Sequence, residues 1–389
     1  MGAKREAIVT DAPSGRAPTA WSAAMAANIA PRPELTIPTI TAVQVAPAID
    51  GVDLWDSWPL QTPDGAIARI SGRELWMALS APFDPDPMQR HHLARIRLLE
   101  RVGDGWRDYG NLLPEGFSPG SREWAGSAIY DADAQSVTLF FTAAGRRGEA
   151  MSSFEQRVFQ TTGIFQNGFD SAKSIAWSDP IESFCADDAI YVRVDQAEGE
   201  PGKIKAFRDP AFFKDPMDGG EYLLFTGSLK RSKSEYNGAV GVAKAENKER
   251  TRWSLMPPLV TADNLNNELE RPHIIFHDDS YYLFWSTQQC TFAPDGPDGP
   301  NGLYGMVSSN LFGPYRPLNG SGLVAANPQA EPYQAYSWTV LQSLSVVGFI
   351  DYWGLGGRSV SDNVELARQQ FGGTFAPPFR LRLDGDAAE

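Results

Sequence analysis

The chain has 389 residues, 34 basic against 48 acidic for a net charge of −14, and 42% hydrophobic residues, enough for a sizeable buried core. Acidity of this size excludes a phosphate-backbone partner, since nucleic-acid binding needs a basic stripe, and no run of Lys or Arg here exceeds two. Two cysteines, Cys185 and Cys290, and four histidines, His91, His92, His273 and His277, give neither a disulfide framework nor a zinc pattern of cysteines nor a His-Glu-x-x-His site; free buried thiols are expected, the alternative being one pairing of the two across the chain.

Residues 1–17 are polar, small and punctuated by Pro and Gly, which reads as a flexible lead with no apolar stretch of a secretory signal. The Ala-rich segment 18–30, with Trp21 and Met25 four apart and Pro31 and Pro33 beyond it, predicts one short helix. Residues 18–389 then read as a single all-β domain. Short apolar runs at 137–142, 222–226, 281–286 and 344–350 are each bounded by Gly, Asp, Asn or Pro, as strands are. No run is long and apolar enough to suggest a membrane span.

A second element recurs along this body. Trp106 leads to Leu112-Leu113-Pro114, Trp253 to Pro258-Leu259-Val260, and Phe312-Gly313-Pro314-Tyr315 to Pro317-Leu318. A repeated strand unit with Gly/Pro-rich insertions predicts the blades of a β-propeller, about five units of about 65 residues; a β-sandwich pair explains the recurrence less well. In a propeller the innermost strand of each blade lines a central channel, so residues distant in sequence meet at its mouth.

Three acidic motifs stand at such distances: Trp55-Asp56-Ser57-Trp58-Pro59, Phe207-Arg208-Asp209-Pro210 and Glu268-Leu269-Glu270-Arg271-Pro272-His273. Each sets a carboxylate beside an aromatic ring or an arginine. Aromatic faces stack on sugar rings and carboxylates run acid, base and nucleophile chemistry at an anomeric carbon, so the combination suits a carbohydrate site. Any one motif alone would also serve as an ordinary turn, and any single aromatic as core packing. If each carboxylate comes from a different blade, the three converge on one pocket.

At these motifs the chain resembles the levansucrase family, glycoside hydrolase family 68, whose members cleave sucrose and transfer or hydrolyse the fructosyl group on a five-bladed propeller. Further stretches read like that family in the expected order across 18–383: Arg122-Glu123-Trp124-Ala125-Gly126-Ser127, Leu303-Tyr304-Gly305, Phe312 to Tyr315, Pro317 to Val324, and Gln334-Ala335-Tyr336-Ser337. The resemblance implies that Asp56 is the nucleophile of a retaining double displacement, Glu270 the general acid/base, and Asp209 the carboxylate that holds fructosyl hydroxyls. It implies that Trp55 and Trp124 wall the fructosyl site, that Arg208 braces the carboxylates and the sugar, and that Glu268, Arg271 and Tyr336 belong to the substrate site. Sucrose and fructosyl-acceptor sugars are the implied partners, with no nucleic acid, membrane or cofactor, and an extracellular location, the cytoplasm being the alternative because no secretory signal is visible.

Departures from the family pattern fall at Gln288, where many relatives carry His or Arg, at Trp338 after Tyr-Ser, where His is frequent, and at Thr226, where a Glu-Gly pair is common. They concern acceptor handling and product length. Asn267 stands where some relatives place a calcium-binding aspartate, so no metal is expected. The alternatives are a β-fructofuranosidase that mainly hydrolyses sucrose, a propeller hydrolase of arabinose furanosides, and a non-catalytic carbohydrate-binding propeller.

Overall fold

Strand-forming runs separated by tight turns dominate the computed structural model, which describes residues 17–165, 171–194, 200 and 202–389; positions 1–16 of the expected lead lie outside the described residues. The run Glu221–Ser228 shows the logic, since Leu223, Leu224 and Phe225 are wholly buried and follow one another without polar alternation. A strand covered on both faces reads in this way. Turn residues set the register: Asp278 and Asp279, at φ 46° and 54°, join Glu270–His277 to Ser280–Thr287 in the left-handed conformation that short hairpin loops require.

Five antiparallel groups follow one another along the chain. The first contains Val52–Gln61, Arg73–Pro82, Arg95–Val102 and Gly105–Asn111. The second contains Arg122–Asp131, Ser136–Ala144 and Gln156–Phe165, with Ile175–Trp177 and Ile181–Phe184 at its edge. A short parallel pairing, Leu60 with Ala128 and Gln61 with Ile129, joins these two groups into one ten-stranded sheet. The third runs Phe207–Lys214, Glu221–Ser228, Gly238–Ala245 and Trp253–Thr261. The fourth has Glu270–His277, Ser280–Thr287 and Gly302–Ser308, with Leu323–Ala326 beside the last of these. The fifth has Ala335–Val340, Ser345–Tyr352 and Phe371–Phe375.

The first strand of each group packs beside the first strand of the next, and that of the fifth group returns to Val52–Gln61. No sheet among the described residues closes on itself by hydrogen bonding; apart from the pairing of the first two groups, the groups stand in separate sheets. A cavity of about 610 Å³ lies among the five first strands and is lined by Trp58, Ser127, Phe213, His273 and Val340, one residue from each.

Two aromatic clusters pack the body of the molecule. Trp21, Trp285, Phe292 and Tyr304 form one cluster, with Trp21 and Trp285 centroids 5.3 Å apart. Phe184, Tyr191, Phe207, Phe225 and Trp253 form another. Such pairs contribute about 0.5–1.5 kcal/mol each beyond the area they bury.

Three sequence expectations are corrected. The helix is only Ala23–Ala26, capped by Ser22, because Thr19–Ala20 pairs in parallel with Val260 and Thr261. Trp21 therefore sits before the helix, where its indole N–H donates to the Ser321 carbonyl oxygen at 2.9 Å. Pro258-Leu259-Val260 lies inside the strand Trp253–Thr261 rather than at its exit. The thiols are free but not buried: Cys290 is exposed and Cys185 partly so, since neither side chain reaches an apolar cluster. No helix among the described residues is long and apolar enough to cross a membrane.

Candidate active site

Each of the five first strands breaks register once: between Trp55 and Ser57, Trp124 and Gly126, Arg208 and Ala211, Glu270 and His273, and Tyr336 and Thr339. A bulge bends its strand and re-aims the side chains beside it. At four of them the extra residue takes a left-handed backbone, with φ 42° at Asp56, 62° at Asp209, 49° at Arg271 and 58° at Ser337. Non-glycine residues held there cost about 1–3 kcal/mol each, and such strain concentrates at functional sites. The residue preceding the bulge is Trp55, Trp124, Arg208, Glu270 or Tyr336, so five expected site residues share one register position on five neighbouring strands.

Arg208 is the hub. Its Nη2 reaches Glu270 Oε1 at 2.8 Å and Glu268 Oε2 at 3.3 Å, and its Nε lies 3.6 Å from Asp209 Oδ2. Burial works against the guanidinium charge, but Glu268, Glu270 and Asp209 outweigh it and raise its pKa. The Tyr336 hydroxyl donates to the other Glu270 oxygen, so both oxygens of that carboxylate accept hydrogen bonds. Burial and the Glu270 charge keep the Tyr336 phenol well above its ordinary pKa, hence a donor.

Asp209 is fixed from two sides. Its backbone N–H donates to Thr142 Oγ1 at 2.9 Å, and its Oδ2 accepts from Thr226 Oγ1 at 2.9 Å. Burial pushes its carboxyl up to about 6 against the pull of Arg208, with Glu270 and Asp56 adding to the rise. Asp56 is also raised, first by burial and then by Glu270, while Arg271 and a hydrogen bond with Ser337 oppose. The Arg271 N–H, next to Glu270, also reaches Asp209 Oδ2 at 3.4 Å, and the Arg271 guanidinium meets the carbonyl oxygen of Ser57, next to Asp56, so the three acidic motifs come together here.

Glu268 is buried, and burial pushes it up to about 7 despite Arg208. Asn266 Oδ1 accepts its N–H at 2.8 Å. Behind it, Lys205 Nζ donates to Asn237 and Asn267 side chains, both at 3.0 Å, and to the Glu235 carbonyl oxygen. Asn267 thus holds an ammonium group. No set of three His, Cys, Asp or Glu among the described residues is arranged to hold a metal ion.

Trp55 is buried edge-on to His91, with centroids 6.1 Å apart, and Trp124 is half-buried against Phe154. Trp124 Nε1 and Arg208 Nη1 are buried with no hydrogen-bond partner among the described residues. These are donors that sugar oxygens can satisfy. Gln288 is half-buried where the 289–291 turn begins, its Oε1 3.8 Å from Cys290 Sγ. The Asn267 backbone N–H donates to the Thr291 carbonyl oxygen at 2.9 Å and the Thr287 hydroxyl to that of Glu268 at 2.5 Å, which ties this loop to the segment that carries Glu268 and Glu270.

Two expectations change. Arg271, expected to contact substrate, turns its guanidinium to protein, donating to Ser337 Oγ at 2.9 Å and to the Ser57 carbonyl oxygen at 2.8 Å. The bulge at Arg271 points its side chain along the ring of strands, so it clasps the first and fifth groups to the fourth. Trp338, read as part of acceptor handling, is 1% exposed and packs on Tyr336, with centroids 5.9 Å apart, because the same kind of bulge turns it into the core. Thr226 sits beneath Asp209.

Sequence reasoning misses Thr142, Ser337, Arg90, His91 and Asp351 at this site. The Arg90-His91-His92 cluster is the one visible signal; Asp351, inside the apolar strand Ser345–Tyr352, gives none.

The chain matches the sequence model described as Levansucrase/Invertase over residues 10–237 and 230–389. A levansucrase of Zymomonas mobilis is 34% identical over 399 residues, spanning 95% of this chain and 89% of that protein. Levansucrase LscA of Pseudomonas savastanoi pv. glycinea is 32% identical over 411 residues, spanning 95% and 93%. The solved structure of an inulosucrase from Halalkalicoccus jeotgali bound to kestose superposes with a TM-score of 0.87 at 37% identity, covering 96% of this chain and 95% of that one. With this likeness over nearly its whole length, the chain belongs to the levansucrase/invertase family, glycoside hydrolase family 68.

Proposed function

We propose that the protein is a sucrose-cleaving fructosyltransferase of levansucrase type, built as a five-bladed β-propeller and working by retaining double displacement. Five strand groups whose first strands neighbour one another in a ring, each bulged at the same place, support the propeller reading. In the first step Asp56 attacks the anomeric carbon of the fructosyl unit while Glu270 protonates the glycosidic oxygen and glucose leaves. In the second, Glu270 takes a proton from water or an acceptor hydroxyl, whose oxygen displaces Asp56. Asp209 holds fructosyl hydroxyls, Trp55 and Trp124 wall the ring, and Arg208, Glu268 and Tyr336 bind sugar while positioning Glu270.

The observation that carries this reading is the clustering of Asp209 and Glu270 around Arg208, with both Glu270 oxygens engaged and Asp56 at the matching bulge of the first group. Incubation with sucrose tests it, with glucose, fructose and oligomeric products measured together: glucose counts every cleavage and fructose counts hydrolysis. Asp56→Asn is expected to fold and bind but to lose glucose release by several orders of magnitude, because an amide is no nucleophile. Glu270→Gln is expected to lose most activity on sucrose and far less on a fructosyl donor with an acidic leaving group. Substantial glucose release by Asp56→Asn, or equal losses on both donors for Glu270→Gln, would reassign the roles. A second reading, a β-fructofuranosidase that passes fructose mainly to water, rests on Gln288.

A further inference from the structure

Behind Glu268 stands a cation that the double displacement does not use. Lys205 lies on the segment that leads into Arg208, and its half-buried ammonium group donates to the Glu235 carbonyl oxygen and, at 3.0 Å each, to Asn237 Oδ1 and Asn267 Oδ1. All three acceptors are neutral. Asn237 and Asn267 are themselves buried, so the ammonium joins the third strand group to the segment that carries Glu268 and Glu270. Its own backbone is pinned as well: the Lys205 carbonyl oxygen accepts from Gln156 Nε2 at 3.1 Å, and the next N–H, of Ala206, donates to Ser228 Oγ at 3.0 Å.

This arrangement fixes which way the Asn267 amide points. An ammonium group has donors only, so it takes Oδ1 and leaves Nδ2 facing the other way. There Nδ2 donates to the Ile204 carbonyl oxygen at 2.6 Å and reaches Glu268 Oε1 at 3.4 Å. Glu268 Oε2 in turn meets Arg208 Nη2 at 3.3 Å, and the same nitrogen donates to Glu270 Oε1 at 2.8 Å. From the ammonium to Glu270 every contact therefore runs donor to acceptor, and a reversed Asn267 amide would set its oxygen against a carboxylate. We propose that Lys205 is a positioning residue of the general acid/base: acting only through Asn267, Glu268 and Arg208, it sets the orientation in which Glu270 hands over its proton. The inference rests on the sucrose-cleaving reading above and adds to it a residue behind the site on which the acid depends.

The test measures kcat/KM for wild type, Lys205→Met and Lys205→Gln on sucrose, read by glucose release, and on p-nitrophenyl β-D-fructofuranoside, read by nitrophenol release. The aryl leaving group departs without a proton, so the second donor does not need the acid. On sucrose Lys205→Met is expected to lose about tenfold, a part of the 10²–10⁴-fold that a placed general acid supplies, and on the aryl donor less than about twofold. Lys205→Gln, which keeps an N–H donor for Asn267, is expected to lose distinctly less on sucrose. A merely structural role, or a role in binding the fructosyl unit, would cost the same factor on both donors, and that result overturns the assignment. Wild-type efficiency of Lys205→Met on sucrose does the same. If that variant does not fold, Lys205→Gln alone must show a loss confined to sucrose. A wild-type protein that releases no glucose from sucrose overturns the sucrose reading and the assignment with it, whereas the other failures leave that reading standing.

Discussion

Thr226 is wholly buried, and its hydroxyl serves two partners of the site at once. It donates to Asp209 Oδ2 at 2.9 Å and accepts the Arg271 backbone N–H at 3.1 Å. Thr226→Val keeps the shape and removes both contacts, leaving the Arg271 N–H only its longer contact with Asp209 Oδ2 at 3.4 Å, at a cost of about 0.5–1.5 kcal/mol in unfolding free energy for each hydrogen bond lost. The Thr226 bond is also among the interactions that hold down the Asp209 carboxyl, which burial has already pushed up to about 6. A carboxylate with a raised pKa is ionised above that pKa and lost to protonation as the pH falls through it. With Asp209 needed ionised, kcat/KM on sucrose is expected to fall below about pH 6, and Thr226→Val to move this acid limb to higher pH. Glucose-release rates across pH 4.5–8, roughly two units either side of that limb, check the shift; an unmoved limb separates Asp209 from the acid side of the profile.

The bulged first strand is the element on which the site depends. Its irregularity turns a side chain that would alternate between sheet faces toward the mouth of the ring instead. In the second group the bulge is followed by Gly126, where an added Cβ would lie 1.9 Å from the Phe140 carbonyl oxygen and 2.9 Å from Phe141 Cα. Both obstacles are backbone of the paired strand, so neither can swing aside. Gly126→Ala is therefore expected to destabilise the protein by at least about 3 kcal/mol and to displace Trp124, lowering sucrose cleavage in whatever fraction still folds. Denaturant midpoints measure it, and an unchanged midpoint would mean that the two strands separate more easily than their register implies. The strands themselves were legible at 137–142, 222–226, 281–286 and 344–350, because residues buried on both faces form continuous apolar runs. The bulges were not, since one extra residue in a strand leaves no mark on composition or on turn signals.

At the scale of the whole molecule, the ring brings Asp56 and Glu270 together across more than two hundred residues of chain, and it sets the Gln288 loop on the carboxylate side. After glucose leaves, the fructosyl-enzyme partitions between water and a sugar hydroxyl according to how long an acceptor is held in attacking geometry. A glutamine amide neither titrates near neutrality like histidine nor offers the charge-assisted fork of arginine. Losing one or two hydrogen bonds of about 0.5–1.5 kcal/mol each shifts that partition severalfold without abolishing transfer. Free fructose and short oligosaccharides are thus expected to exceed long fructan, and Gln288→His to raise the transferred fraction at fixed sucrose. The glucose-to-fructose ratio reads this directly. Abundant high-molecular-mass fructan from the native enzyme, or an unchanged ratio in the variant, defeats the idea, and Trp338, buried as it is, offers it no second support.

By itself the sequence determined the all-β character and the three acidic motifs, because strand burial and carboxylate chemistry are written in adjacent residues. It marked Trp55, Trp124, Arg208, Glu270 and Tyr336, each beside a motif residue that stands out locally. Only the tertiary structure decided that these five share one register position, that Arg271 clasps neighbouring strands, and that the N-terminal helix shrinks to Ala23–Ala26 beside a strand pairing. Asp351 and Thr142 became visible only there, as did the part Ser337 plays. Their significance lies in the direction of a side chain across a ring of strands, and a ring joins residues by radial packing, which no periodicity along the chain records.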